Sequence, residues 1–267
     1  MRKQDEVYSR NSNREPSELS LDGGPRPAQA VATIEEPAGP TFSEQAVAFN
    51  QPTESEPSTG AFSIFPRKDI TVPVAKADAV QLIAEVRSDA HKKLCDAIRS
   101  APDKDTRSAL KARLPAVTAS GVFSKRSATA LVKHSGVLIA DIDLDENPQL
   151  LEADQFEAAR VKLCADGRVH FLFTSPSGGL KVGFKIKATC PETHLAAFIS
   201  VRDILLEDFG LAPDEACKDV SRLCFLSYDA EAHHNADAVE IETRAPVKET
   251  LPKWEAAPRQ MSVGTSP

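Results

Sequence analysis

Between residues 136 and 230 the apolar and polar positions can be read almost element by element. Gly136-Val-Leu-Ile-Ala-Asp-Ile-Asp143 is an apolar run ending in acids, which predicts a strand over 136–143. After Glu146-Asn147-Pro148 the period becomes helical, with Phe156, Ala159 and Leu163 inward over about 152–166 and Gly167 as a C′ glycine. Val169–Thr174 and Leu180–Lys187 read as a hairpin around Ser175-Pro176-Ser177-Gly178-Gly179. An amphipathic helix follows at about 191–209, with Leu195, Phe198, Ile199, Ile204, Leu205 and Phe209 apolar, ending at Gly210. A last strand covers Arg222–Tyr228. The order β-α-β-β-α-β predicts an α+β fold with an RRM-like, or ferredoxin-like, core.

Upstream, Phe62-Ser63-Ile64-Phe65 reads as a short strand, and residues 75–114 as helical pieces. One apolar stripe is Val80, Leu82, Ile83 and Val86; a second is Leu94, Cys95 and Ile98, broken at Ala101-Pro102-Asp103. Asp103 caps a basic helix that stops before Pro115 and sets Lys104, Arg107 and Lys111 on one face. Together these form an N-terminal α/β extension. Residues 1–60 hold 5 basic and 10 acidic groups and 7 of the 19 prolines with poor apolar periodicity, so that leader reads as disordered. The start lacks the apolar segment of a signal peptide, and no run of 18 apolar residues suggests a membrane span. Domain limits of 1–60, 61–245 and 246–267 follow, the last a flexible tail whose Trp254 packs back or meets a partner.

Charge decides little. The 207 residues after the leader carry 27 basic and 29 acidic groups, which neither favours nor excludes nucleic acid. Cys95, Cys164, Cys190, Cys217 and Cys224 are odd in number and form no CxxC, which favours reduced thiols in a cytoplasmic protein.

The chemistry lies at the end of the first core strand. Side chains alternate along a strand, so Asp141 and Asp143 share a face roughly 7 Å apart, at about 3.3 Å per residue. Two such acids make half of a site for a hard cation, Mg²⁺ or Mn²⁺. Asp214 or Asp219, before the last strand, would supply a third carboxylate, and spacing alone leaves the two in competition. On the hairpin, Lys181, Gly183, Lys185 and Lys187 share a face, with Gly183 read as allowing a ligand close to the backbone. Ser175, Ser177, Gly178 and Gly179 offer hydroxyls and amides for a phosphate, and Arg222 adds a cation. His233-His234 lie in a polar stretch and Tyr228 in a strand, a poor match to a rolling-circle nuclease; His170 and His194 read as ordinary strand and helix positions.

Several motifs occur in order: Lys111-Ala-Arg-Leu-Pro-Ala-Val-Thr-Ala-Ser-Gly-Val-Phe123, His134-Ser-Gly, the Asp-Ile-Asp strand, Ser175-Pro-Ser-Gly-Gly-Leu-Lys-Val182, and Ser221-Arg-Leu-Cys-Phe-Leu-Ser-Tyr-Asp229. Over roughly 61–235 this resembles the VirE N-terminal-like domain family, related to the archaeo-eukaryotic primase superfamily. The resemblance implies a metal-dependent nucleotidyltransferase serving DNA replication of a mobile element, plasmid or phage. It implies Asp141 and Asp143 as the first metal motif, Asp214 as the next carboxylate, and Lys181 where that superfamily usually has a histidine. A lysine there binds phosphate as a point charge. The implied partners are nucleoside triphosphates and a single-stranded DNA template, contacted by Lys104, Arg107, Lys111, Ser120 and Arg126. No GxxxxGK[ST] occurs, so a helicase or ATPase partner would be a separate chain. The alternative expectation is a non-catalytic nucleic-acid-binding module that assists replication.

Overall fold

A computed structural model describes residues 60–243; the leader, the tail and Trp254 lie outside the described residues. Among the described residues the fold is mixed α and β, with three antiparallel sheets and five α-helices. The first sheet holds β1 (Phe62–Phe65), β2 (Ala75–Ala77), β3 (Ala116–Thr118) and β9 (Cys224–Phe225) in the order β2-β1-β3-β9. The central sheet holds β6 (Val137–Ile142), β7 (Val169–Thr174), β8 (Leu180–Lys185) and β10 (His233–His234) in the order β10-β7-β8-β6. A small ribbon pairs β4 (Gly121–Phe123) with β5 (Leu131–His134).

The helices follow the local chemistry. Asp78 and Gln81 form a reciprocal capping box at the start of α1 (Ala79–Arg87), which buries Ala79, Leu82, Ile83 and Val86. Val80, expected in that stripe, faces solvent, and residues 75–77 are strand rather than helix. α2 (Lys92–Arg99) buries Cys95 and Ile98, and Asp103 caps α3 (Lys104–Lys111) by accepting from the Thr106 amide at 2.7 Å. α4 (Ala153–Cys164) ends at Ala165, and Gly167 is not in the left-handed region expected of a C′ glycine. Gly210 is left-handed, at φ 67°, and closes the turn of π-helix that extends α5 (Pro191–Ile204).

Alternation along the central strands builds two cores. Leu138, Ala140, Ile142, Leu172, Leu180, Val182 and Phe184 face one way, onto Leu163 of α4 and Phe198 and Val201 of α5. Val137, Phe171 and Phe173 face the other way, onto Phe62, Ile64, Val117 and the apolar stripe of α1. Gly183 belongs to this second layer: a Cβ there would meet the Phe171 ring at 2.3 Å. The glycine is needed for packing between layers rather than for a ligand.

The segment β6-α4-β7-β8 keeps the order anticipated, with β8 between β6 and β7 and antiparallel to both. The fourth strand does not. Only Cys224–Phe225 is strand, and it pairs with β3 in the other sheet. Cys224 and Leu226 are buried in the core between the sheets, so their apolar side chains carry this stretch away from β6. Tyr228 therefore lies outside any strand, while His233-His234 form one, against Leu172 and Phe171 of β7. Among the described residues, no helix is long and apolar enough to cross a membrane.

Candidate metal and nucleotide site

Asp141 and Asp143 leave the end of β6 on the face that looks between the sheets. Asp141 sits directly opposite Lys181 in the β6–β8 register. The two side chains, 7% and 4% exposed, form an ion pair through Asp141 Oδ2 and Lys181 Nζ. Asp141 Oδ1 is buried with no hydrogen-bond partner. A buried carboxylate oxygen left open in this way is uncommon and marks a place where something charged or polar belongs.

The third acid comes from the chain after α5. Asp214 N–H donates to the Asp141 carbonyl at 2.8 Å, which docks this segment on the edge of β6. Asp214 then caps a 3-10 turn, Glu215–Lys218: its Oδ1 accepts from the Ala216 amide at 2.8 Å and its Oδ2 from Arg222 Nη2 at 2.6 Å. Asp141, Asp143 and Asp214 each bring an oxygen within 4.8 Å of the others. Asp219 is not part of the group; its Oδ1 accepts from the Ser221 amide and hydroxyl, both at 2.9 Å. Of the two acids, Asp214 is the one that the backbone bond at Asp141 brings beside Asp141 and Asp143.

The electrostatics record the crowding. Burial raises the Asp143 carboxyl above its ordinary range, and the Asp141 carboxylate pushes the same way. Burial works against the Lys181 charge, yet Asp141 outweighs it and holds the ammonium above the usual lysine range. Lys111, at the end of α3, is drawn the other way, lowered by burial and by the nearby Lys181 ammonium.

Beside the acids a cleft of about 400 Å³ opens, lined by Asp141 and Lys181 and by Lys68, Lys111, Arg126, Asp219, Ser221, Arg222, Leu223 and Phe225. Lys111 Nζ reaches Ser177 Oγ at 3.2 Å and lies 5.5 Å from the centre of the Phe225 ring. Lys111, Arg126, Lys181 and Arg222 thus converge from four separate places in the sequence. Lys68 was missed; its only signal is a basic pair, Arg67-Lys68, just after β1.

Other expected residues fall elsewhere. Lys104 is exposed and Arg107 half-buried, and neither lines the cleft. Ser120 is buried beside a void of about 20 Å³ that also touches Asp141. Lys185 donates to the Ala236 carbonyl at 2.5 Å, and Lys187 is exposed beyond the strand. The Ser175–Gly179 turn closes on itself: the Ser175 amide donates to Gly179 and the Gly178 amide to Ser175, at 2.7 and 3.0 Å. Gly178 needs its positive φ of 97°, and a Cβ at Gly179 would strike the Ile142 carbonyl at 2.3 Å. These glycines tie the hairpin to β6, and neither Gly178 nor Gly179 lines the cleft.

His194, read as an ordinary helix position, has a definite partner in His134. The Gly136 amide donates to His134 Nδ1 at 2.9 Å, so the neutral ring carries its proton on Nε2, 3.1 Å from His194 Nδ1. His194 Nε2 in turn donates to the Cys217 carbonyl at 3.2 Å, in the turn that Asp214 caps. Burial, with His194 alongside, lowers the His134 pKa to about 4.

With this geometry in place the comparison with known families can be read. Residues 109–234 match the family described as BT4734-like, N-terminal domain. This is a different family from the VirE N-terminal-like one, so the resemblance drawn from the sequence motifs is corrected. The matched stretch contains all three acids, Lys111 and Lys181, and begins after β1, β2, α1 and α2. No curated protein and no solved structure matches the chain.

Proposed function

We propose that this chain carries a divalent-metal-dependent nucleotidyl-transfer site, adding nucleotides from nucleoside triphosphates to a nucleic-acid end, as a primase or polymerase does. The observation that carries this reading is the meeting of Asp141, Asp143 and Asp214, the first of which lines a cleft together with five basic side chains. The acids fit a hard cation, because Asp141 Oδ1 is buried and open and the Asp143 carboxyl is raised by burial and by the Asp141 carboxylate beside it. Mg²⁺ or Mn²⁺ bound there supplies the charge that offsets phosphate oxygens during transfer.

The chain's own contribution is placement and charge. Lys68, Lys111, Arg126 and Arg222 hold a triphosphate along the cleft. Lys181 stays fixed by Asp141 and presents a permanent positive charge at the inner end. The βαββ order of the central sheet supports an RRM-like core whose fourth strand has been surrendered to the neighbouring sheet. Single-stranded DNA would approach past the exposed Lys104 on α3, with a separate helicase or ATPase opening the duplex.

One observation favours the second reading, a binding module without catalysis: the Lys181–Asp141 ion pair occupies one of the oxygens a metal would use. A primer-extension assay with Mg²⁺ and with Mn²⁺, run beside Asp141→Asn, separates the two. Nucleotide incorporation that is lost in the variant is expected. DNA binding with no incorporation under either ion, in a protein that also fails to bind Mn²⁺, would leave only the module.

A further inference from the structure

We propose that Lys181 is a built-in cation standing where a second metal would be, so that the site loads one divalent ion rather than two. The inference rests on the nucleotidyl-transfer reading and concerns how its charge is supplied.

Two-metal sites set their ions about 3.5–4 Å apart, a spacing that requires carboxylates able to reach both ions. Asp141 is the most deeply buried of the three acids and the natural bridge. Its Oδ2 is already bonded to Lys181 Nζ, leaving only Oδ1. Asp214 is no better placed to bridge, since its two oxygens serve the Ala216 amide and Arg222.

The lysine is held where it is. It projects from β8 straight across from Asp141, and its neighbours Leu180 and Val182 are fully buried in the opposite layer. The side chain is 4% exposed, unlike that of a flexible surface lysine. A buried ammonium that left its carboxylate would forfeit the partner that makes its burial tolerable.

Charge points the same way. The three carboxylates bring three negative charges, and Lys181 and Arg222, each paired with one of them, return two. One dication then leaves the floor of the cleft with a single positive charge. Two dications would leave three, before Lys111 is counted.

The test is a count of ions on the full chain. Mn²⁺ is titrated and free Mn²⁺ followed by electron paramagnetic resonance, with Asp141→Asn measured alongside to subtract weak surface binding. One Asp141-dependent ion per chain is expected in the unaltered protein. Lys181→Met, which keeps an unbranched stem of similar length, should take up two, and Lys181→Arg should stay at one. Two ions in the unaltered protein, or one in Lys181→Met, would overturn the inference while leaving the metal site intact. No ion in any form would instead overturn the underlying reading. Should Lys181→Met fail to fold, the bound spectrum of the unaltered protein decides: an isolated Mn²⁺ signal supports the proposal, and a spin-coupled pair ends it.

Discussion

Two carboxylates meet cations beside the central hairpin, half-buried Asp229 with Arg160 and buried Asp141 with Lys181, and they are finished to different degrees. Asp229 Oδ2 accepts from Arg160 at 2.8 Å and from the Thr174 amide at 2.7 Å, while Oδ1 takes the Glu231 amide at 3.0 Å. Arg160 also donates to the Glu231 carbonyl at 2.6 Å and to Thr174 Oγ1 at 3.2 Å. Every strong acceptor there is used, as expected of a pair that fastens structure. Asp141 has one oxygen on Lys181 and one on nothing. Completeness of hydrogen bonding, more than the presence of an ion pair, separates a fastening from a site.

The largest effect that tests this contrast is on chemistry. Asp141→Asn keeps an acceptor for Lys181 but loses the charge, and primer extension should fall by about 10³-fold or more, on the scale of other lost electrostatic groups. Its fold, followed by circular dichroism, should persist with some loss of stability, because the buried Lys181 ammonium loses its counter-charge. Asp229→Ala should do the reverse. It strands Arg160 without a counter-ion and should cost about 3–5 kcal/mol in urea unfolding, the usual penalty for breaking a buried pair. Should the two variants exchange phenotypes, the contrast is wrong.

A smaller effect is expected with pH. His134 has a folded pKa of about 4, below the ordinary histidine value, so the unfolded chain takes up the proton first. Stability should therefore be full above about pH 6.5 and fall as pH drops towards 4, by about 3 kcal/mol from this group. Urea titrations at pH 7 and 4.5 should show that increment missing in His134→Gln. The smallest effect carries the opposite sign. Burial, with the Asp141 carboxylate adding to it, penalises the Asp143 charge, so Asp143→Asn should stabilise the metal-free protein by up to about 1 kcal/mol while removing activity. A thermal melt that drops instead would mean that Asp143 holds the fold.

The sequence was legible where one residue class decides one feature. The β6-α4-β7-β8 order came from periodicity, and the i, i+2 acids shared a face because strands alternate. What escaped was set by long-range partners. The face of β8 carrying Lys181 looked open because no local signal announces a second sheet lying over it; Phe171 against Gly183 is visible only in three dimensions. Arg222–Tyr228 has the apolar content of a strand but no mark saying which sheet it will join. His134 and His194 lie 60 residues apart, and spacing could not have joined them. Lys111 was anticipated as one of three cations on a helix face, whereas only the one nearest Pro115 turns towards the acids.

The amide of Asp214 donates to the carbonyl of Asp141, and that link is made of main chain alone. It is indifferent to what side chains positions 141, 143 and 214 carry. The framework is thus held at this point by main chain, apart from what the side chains do for Lys181, Arg222 and the turn at Glu215–Lys218. On the reading proposed above, a lineage that traded the three acids for neutral residues would keep this link and its basic cleft, and with them the means to grip nucleic acid but not to extend it.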